Sequence, residues 1–237
     1  MIALTSIAPS HRNGDMQPIA IQSWIDTGLQ VVSFNCKDEC ETLRDKYKGV
    51  TFIESVDGRD LYGKPYVPIK SMLDYASKSD ADSFVLINSD IILIDSYQVL
   101  EIIKQRLPNE ATIVQRLDFA NDINKHQTFQ SGIDAFFIHK NHIKHIKSDG
   151  FYIGLCWWDY TVPYSLLTNH VKVNLLKTPL IYHRLHPTQY SMKSWEQLAK
   201  VFARVHGIKY RNAQSLNVNI YTYIFKHVHN DYLHQDI

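Results

Sequence analysis

The stretch FVLINSDIIL, residues 84–93, decides the fold class of this chain of 237 residues. Its apolar run is interrupted once, by Asn88-Ser89-Asp90. Such a run is typical of a strand buried on both faces in a parallel sheet. A carboxylate there carries a large desolvation cost unless the strand ends and the charge meets a cation. We therefore predict that Asp90 lies at the carboxyl end of a strand, with Asn88 on the same side, as an oxygen ligand of a divalent metal. A cap of the following turn is the alternative.

Strands and helices alternate around this stretch, which predicts an α/β protein. In the first half we predict strands at 2–8, 30–35 and 50–56, helices at 17–27, 39–47, 68–77 and 96–106, and a loop at 57–65. This order predicts a mainly parallel central sheet with right-handed crossovers and helices on both faces. The second half is less regular: we predict strands at 111–116, 135–139 and 172–182, helices at 141–147, 160–169 and 194–206, and a polar loop at 118–130.

The composition excludes several classes of protein. Hydrophobic residues make up 45% and charged residues 21%, which excludes wholesale disorder, and the net charge of +1 argues against binding to nucleic acid. The chain contains no run of eighteen apolar residues, so we predict no membrane-spanning helix. Its first residues do not resemble a secretory signal. Three cysteines with no zinc-binding spacing favour a reduced, cytoplasmic protein.

A series of short motifs resembles a known fold family. They are SIAPSHRN at 6–13, SFNCKDE at 33–39, NSD at 88–90, GIDAFF at 132–137, WWD at 157–159 and YHR at 182–184. In this order they resemble GT-A fold glycosyltransferases, similar to the family-2-like inverting enzymes, over residues 2–186. The resemblance implies a single GT-A-like domain over 1–237. Its parts would be a nucleotide-sugar-binding half at 1–107, an acceptor-side half at 108–190 and a C-terminal helical segment at 191–237.

The resemblance also implies a reaction. A hexosyltransferase-type enzyme of polysaccharide biosynthesis would move a sugar from a nucleoside-diphosphate sugar to a hydroxyl of a glycan or glycolipid, with inversion. Retention stays open, because the same fold supports both outcomes. The alternatives are a non-catalytic nucleotide-sugar-binding module and a nucleotidyltransferase. The latter normally needs a glycine-rich basic first loop, whereas the loop here has one glycine and one arginine.

Donor-binding residues follow from the resemblance. Around the nucleotide they would be Ser6, Pro9, Arg12, Asn35, Asp57 and Lys70. Asn35 stands where the family usually has an aspartate that contacts the base, and its amide would hydrogen-bond the base edge instead. Lys70 would face the donor phosphates. The structural alternatives are an ordinary surface loop for Arg12 and a solvent-facing side chain for Lys70.

The metal site would use Asn88, Ser89 and Asp90 in the position of the family's DXD motif. Asn88 replaces the first aspartate, so Asp90 would be the direct ligand of Mn²⁺ or Mg²⁺ that bridges to the diphosphate. His183 would be a second ligand, with His186 in its place as the alternative. A satisfied structural histidine is the other interpretation.

The acceptor side would carry the base. Asp159, expected just before a helix, would take the proton of the acceptor hydroxyl, while Trp157 and Trp158 would stack on sugar rings. Asp134 would bind sugar hydroxyls, next to Gly132. The alternatives are a helix cap for Asp159, core positions for the tryptophans and a β-bulge at Gly132.

The last segment of the chain predicts structure rather than chemistry. His227, His229 and His234 lack a zinc-binding spacing and favour a solvated terminal helix. The preceding stretch NVNIYTYIFKHV, residues 217–228, would pack on the core. Contact with a partner subunit or a peripheral membrane contact is the alternative.

Overall fold

The computed structural model describes residues 1–10, 15–94, 97–186 and 191–231, without the side chains of 128–131. Arg12 and His234 lie outside the described residues. The expectations for these two residues therefore stay predictions.

Four parallel strands form the first half of the sheet, as predicted. They are β1 (Ile2–Thr5), β2 (Gln30–Asn35), β3 (Val50–Glu54) and β4 (Ser83–Ile87), in the spatial order β3-β2-β1-β4. Leu4 pairs with Val32 on one side and with Leu86 on the other. Because all four strands run the same way, their carboxyl ends meet at one edge of the sheet.

Helices cover both faces of this sheet. They are α1 (Met16–Asp26), α2 (Lys37–Leu43), the short α3 (Arg59–Tyr62), α4 (Ile69–Lys78) and α5 (Tyr97–Arg106). Alternate strand residues point to opposite faces, so Leu4 and Leu86 pack with α4 while Ala3 and Val85 pack with α1 and α5. The α/β layer arrangement expected from the sequence is therefore confirmed.

The stretch 84–93 breaks where its polar residues stand. β4 ends at Ile87, and β5 (Ile91–Leu93) turns away to pair antiparallel with β9 (Ile181–Arg184). The backbone N–H of Ile91 donates to the carbonyl of Asn88 at 3.2 Å, which closes the turn. Asp90 thus lies just beyond the carboxyl end of a buried strand.

The second half of the sheet contains antiparallel pairs. β6 (Glu110–Phe119) and β7 (Gln127–His139) form a long antiparallel pair, and β7 is also antiparallel to β4. The polar loop predicted at 118–130 is therefore shorter. Pairing is irregular opposite 128–133, so Gly132 lies in an irregular stretch of the ladder, as its structural alternative stated.

The single strand predicted at 172–182 is two strands. β8 (Lys172–Leu176) is parallel to the first part of β6, and β9 is parallel to its last part. Residues 177–180 lie outside the ladder, because the segment from Leu176 to Tyr182 is longer than the segment between their partners in β6, Val114 and Leu117. His183 lies in β9 and not at the end of a longer strand.

Four helices and a short strand complete the described fold. They are α6 (Lys140–Ile143), α7 (Trp158–Thr168), α8 (Met192–His206), α9 (Ala213–His227) and β10 (His229–Asp231). Leu216, Ile220 and Ile224 of α9 are buried in the core, so the packing prediction for this segment is confirmed. The terminal helix predicted for the tail ends at His227, because β10 pairs with β8. Within the described residues, no helix has both the length and the apolar composition needed to cross a membrane.

Candidate functional site

A cleft of about 590 Å³ opens at the carboxyl ends of β1 and β4. Parallel α/β sheets bind ligands at this edge. The cleft is lined by ten of the residues predicted to act: Ser6, Pro9, Asn88, Ser89, Asp90, Asp134, Trp157, Trp158, Asp159 and His183. The structure therefore brings most of the predicted site together in one place.

Three predicted donor-binding residues do not line this cleft. Asn35 is 0% exposed, and its amide donates to the carbonyl of Ile7 at 2.7 Å and to Glu39 Oε2 at 2.9 Å. Asp57 accepts the backbone N–H of Arg59 at 2.8 Å. Lys70 is exposed on α4 beside Asp74, with 3.4 Å between Nζ and Oδ1, as its structural alternative stated. Asn35 thus holds a neighbour in place, and that neighbour, Glu39, reaches the cleft.

The cleft also holds residues that the sequence reasoning missed. They are Glu39, Lys64, Tyr66, Arg116, Trp195 and Asn217. Lys64, in the loop before α4, brings a cation to the cleft, whereas the sequence predicted that Lys70 on the helix would do so. Glu39 ends the motif SFNCKDE and lies in α2, whereas no motif marks the other five, which reach the cleft from a loop, a strand or a C-terminal helix.

Asp90 lies beside two imidazoles. Its Oδ2 is 3.1 Å from His186 Nε2 and 3.5 Å from His183 Nε2. Among the described residues these three side chains form the only group of at least three possible ligands close enough to share a metal ion. His183 and His186 are therefore both positioned as ligands, whereas the sequence suggested one or the other.

His183 is oriented by a further carboxylate. Its Nδ1 lies 3.0 Å from Asp118 Oδ1, while Nε2 faces Asp90. Burial lowers the pKa of His183, but its hydrogen bonds to Asp118 and Asp90 outweigh burial and raise the pKa to about 9. A carboxylate on the far nitrogen of a histidine is the arrangement that orients metal ligands in proteins. One carboxylate and two imidazoles thus form a donor set that fits a divalent metal with mixed oxygen and nitrogen preference.

Arg116 connects the two sides of the cleft. Its guanidinium lies 3.0 Å from Asp118 Oδ1 and 2.8 Å from Asp134 Oδ2. Asn88 donates to the other oxygen of Asp134 at 2.7 Å. Asn88, which stands where the family has an aspartate, therefore holds Asp134 in place. Ser89 contacts a different residue, since its Oγ lies 2.7 Å from the side-chain amide of Gln17. Asp134 is fixed with its charge balanced by Arg116, next to the metal-ligand candidates.

Asp159 lies in the first turn of α7 and not just before it, because the helix begins at Trp158, two residues earlier than predicted. Its Oδ1 accepts the backbone N–H of Tyr160 at 3.1 Å, and the residue at the N-cap position is Trp157. Burial, and next the charge of Asp134, raise the pKa of Asp159 to about 7. A carboxyl with that pKa is suited to take and give a proton at neutral pH.

The two predicted stacking tryptophans are mostly buried. Trp157 and Trp158 are each 2% exposed and belong to the core, with the ring of Trp158 against Phe136 at 5.2 Å. Trp157 has a φ of 74°, a left-handed conformation that costs energy for a residue with a Cβ. Both tryptophans are core residues that form part of the cleft wall, which agrees with the alternative interpretation of them as core positions. Their stacking on a sugar stays a prediction.

Comparisons with known proteins give a fold and no sequence family. No family profile matches the chain, and no curated protein matches it. TarS of S. aureus, residues 1–349 in complex with UDP-GlcNAc, is similar with a TM-score of 0.54 at 8% identity, covering 94% of this chain and 70% of that one. A second crystal structure of TarS 1–349 gives a TM-score of 0.53 at the same identity and coverage.

A third solved structure covers nearly the whole of both chains. It is a proposed nucleotide-diphospho-sugar transferase from Desulfovibrio desulfuricans G20, with a TM-score of 0.48 and 12% identity, over 97% of this chain and 98% of that one. The likeness to TarS confirms the expected fold: this chain has a GT-A-like fold.

Proposed function

We propose that this protein is a metal-assisted glycosyltransferase that moves a sugar from a nucleoside-diphosphate sugar to a hydroxyl of a glycan or glycolipid, with inversion. The observation that carries the proposal is that Asp159 and the Asp90–His183–His186 group line one cleft. The fold is shared with TarS, a protein that binds UDP-GlcNAc. The three cysteines are free and buried, in keeping with a reducing cytoplasm as the proposed location.

In the proposed reaction, Asp159 is the general base. The acceptor oxygen attacks the anomeric carbon while the bond from that carbon to the diphosphate oxygen breaks, and the electron pair leaves with the nucleoside diphosphate. Asp159 takes the acceptor proton. Attack from the face opposite the leaving group inverts the configuration of the sugar. The pKa of about 7 places the base close to neutral pH, where general-base catalysis is efficient.

The donor would lie along the rest of the cleft. Ser6 and Pro9 follow β1, and Lys64 offers a cation to the phosphates. Asp134, held by Arg116 and Asn88, would accept hydrogen bonds from sugar hydroxyls.

Asp90, His183 and His186 would hold Mn²⁺ or Mg²⁺, which when bound offsets charge on the diphosphate. Two imidazoles among the three ligands favour Mn²⁺, because Mg²⁺ prefers oxygen ligands.

A thermal-shift panel tests the proposal. We would measure melting temperatures with UDP, GDP, CMP, dTDP and their common sugars, with and without Mn²⁺. A ligand at 100 times its Kd stabilises the native state by about 2.7 kcal/mol. We expect a Mn²⁺-dependent shift with one nucleotide that is lost in Asp90→Ala and kept in Asp122→Ala, which changes a partly exposed carboxylate of the β6–β7 loop. No shift with any nucleotide would contradict the proposal.

A non-catalytic binding module would pass that test, so Asp159 needs its own. We expect Asp159→Asn to keep the nucleotide shift and to lose transfer by about 10²–10⁴-fold, the usual contribution of a general base. Transfer at the parent rate in this variant would remove Asp159 from the mechanism. A chain that binds the nucleotide and transfers no sugar in any form would be a binding module.

A further inference from the structure

Trp195 differs from the other three tryptophans in exposure. Trp24 is 0% exposed and Trp157 and Trp158 are 2% exposed, whereas Trp195 is half-buried and lines the cleft. It lies in the first turn of α8, a helix outside the part of the chain that resembles the GT-A family. An indole that is partly exposed inside a cleft has an apolar face available to a ligand.

Trp157 holds Trp195 in position through a hydrogen bond and a ring contact. Trp157 Nε1 donates to the carbonyl of Trp195 at 3.0 Å, and the two rings lie 5.8 Å apart with an angle of 36° between them. Trp157 is two residues before Asp159 and adopts the left-handed backbone described above. Trp157 therefore links the start of α7, where Asp159 lies, to the start of α8, where Trp195 lies.

The C-terminal helices give the cleft an uncharged wall. Of the described residues of α8 and α9, Trp195 and Asn217 are the two that line the cleft. An indole face suits the apolar C–H face of a pyranose ring, and a primary amide both donates to and accepts from hydroxyl groups. A phosphate or a carboxylate would find no cationic partner on these two helices at the cleft.

We propose that Trp195 and Asn217 form an acceptor subsite that binds a pyranose ring, with the indole stacked on the ring and the amide bonded to its hydroxyls. This inference rests on the proposed function, since it names the acceptor as a sugar bound next to Asp159. It also assigns the stacking contact to Trp195, where the sequence suggested Trp157 and Trp158.

Acrylamide quenching of tryptophan fluorescence can observe this subsite directly, because three of the four indoles are buried. The protein would be measured with UDP and Mn²⁺ while methyl glycosides of glucose, galactose, mannose and N-acetylglucosamine are added at millimolar concentration. Sorbitol, a polyol without a ring, is the control. We expect one or more glycosides to shield Trp195 from quenching, and sorbitol to have no effect. In Trp195→Phe the quenchable emission, and with it the shielding, should be lost.

Two asparagines on α9 provide a matched pair of variants for the amide. Asn217→Ala removes an amide at the cleft, and Asn219→Ala removes an exposed one outside it. We expect Asn217→Ala to weaken shielding by the effective glycoside up to about tenfold in concentration, the factor that corresponds to one lost hydrogen bond. Asn219→Ala should behave like the parent, and equal melting temperatures would show that both variants fold.

The outcomes separate this inference from the proposed function. If a nucleotide raises the melting temperature with Mn²⁺ but no glycoside shields Trp195, the acceptor subsite is overturned and the transferase proposal stands. Shielding that persists unchanged in Asn217→Ala would overturn the role of the amide. If no nucleotide binds at all, both proposals are overturned.

Discussion

At the scale of single residues, the charged side chains of the site pair with one another, orient one another and shift one another's pKa values. Arg116 contacts Asp118 and Asp134, which keeps both buried carboxylates paired. Asp118 in turn orients His183, while Asp134 raises the pKa of Asp159. Breaking a buried pair leaves an uncompensated charge, so the residues around Asp159 and the metal candidates act as one network.

Asp159 should lower the stability of the native protein at neutral pH. Its native pKa of about 7 lies above the ordinary value of 3.8, so the unfolded chain loses the proton first and the free energy of unfolding falls as pH rises from about 4 to 7. We expect Asp159→Asn to have a higher melting temperature than the parent at pH 8, with a difference that shrinks towards pH 4. A difference independent of pH would show that Asp159 titrates normally.

The same pKa sets the pH dependence of transfer. The base acts only when it is ionised, so the parent rate should rise with pH through about 7 and then level off.

Asp118 should tune metal affinity without binding the metal. It holds His183 Nδ1 at 3.0 Å, and loss of such a partner typically lowers metal affinity 10–100-fold. We expect this decrease in Asp118→Asn, measured by calorimetric titration with Mn²⁺. Asp122→Asn is the control, because Asp122 is partly exposed and pairs with Lys125 in a loop. Equal Mn²⁺ affinities in the two variants would contradict the role assigned to Asp118.

At the scale of elements, the points where strands and helices begin or end determine which side chains reach the cleft. β4 stops at Ile87 and β5 leaves to pair with β9, so that Asp90 and His183 meet across two short strands, with Ile91 opposite His183. Helix α7 begins at Trp158, after a residue in the left-handed conformation, and carries Asp159 in its first turn. The turn after β4 thus brings Asp90 to the cleft, and the first turn of α7 brings Asp159 to it.

A second described non-glycine residue in the left-handed region, His170, follows the end of α7. His170 has a φ of 60° and is exposed, whereas Asn169 before it has a φ of −101° and donates from Nδ2 to the carbonyl of Ser165 at 2.8 Å. Glycine adopts positive φ without a steric cost, but it also increases the conformational entropy of the unfolded chain. The net effect of His170→Gly should be a rise of about 0.5 kcal/mol in the free energy of unfolding.

Asn169→Gly should lower the free energy of unfolding by about 1 kcal/mol, since it removes that hydrogen bond and gains nothing from the backbone. Urea denaturation of both variants measures the two signs. Destabilisation by both glycines would show that His170 is not strained.

At the scale of the whole molecule, the C-terminal helices are part of the domain. Leu216, Ile220 and Ile224 of α9 lie in the same core as Leu4 and Leu86 of the central strands. α9 packs against α7 and α8, so the helix that carries Asp159 and the helix that carries Trp195 share a neighbour. The side of the cleft formed by α7 and α8, the proposed acceptor side, therefore depends on the same packing as the sheet.

Substitutions on α9 can test whether this segment unfolds with the rest. Ile224 is 0% exposed, and truncation of such a side chain costs about 2–5 kcal/mol. We expect Ile224→Ala to shift the whole urea transition, followed both by circular dichroism and by tryptophan fluorescence. Val218→Ala, on the exposed side of the same helix, should leave the transition unchanged. A separate early transition in Ile224→Ala would show that α9 is an independent appendage.

Local patterns in the sequence were sufficient for the first half of the fold. Apolar runs and their spacing identify β1, β2 and β4, because strands buried on both faces are rich in apolar residues. The half-exposed edge strand β3 was also predicted, whereas α3 lies in the stretch predicted as a loop. The polar residues that stop those runs, Asn88 to Asp90, could be placed at the functional edge for the same reason. The split between β8 and β9 could not be predicted this way, because the apolar pattern of 172–182 does not show which residues leave the ladder.

The sequence by itself determined the order of the elements, the parallel half of the sheet and the residues that lie at its carboxyl edge. Only the tertiary structure decided which side chains meet there. It paired Asp90 with a histidine 96 positions away, placed Lys64 and not Lys70 at the cleft, buried Asn35 behind Glu39, and brought Trp195 and Asn217 to the cleft. The physical reason is that a strand or a helix is specified by neighbouring residues, whereas a contact between distant residues depends on how all the elements pack.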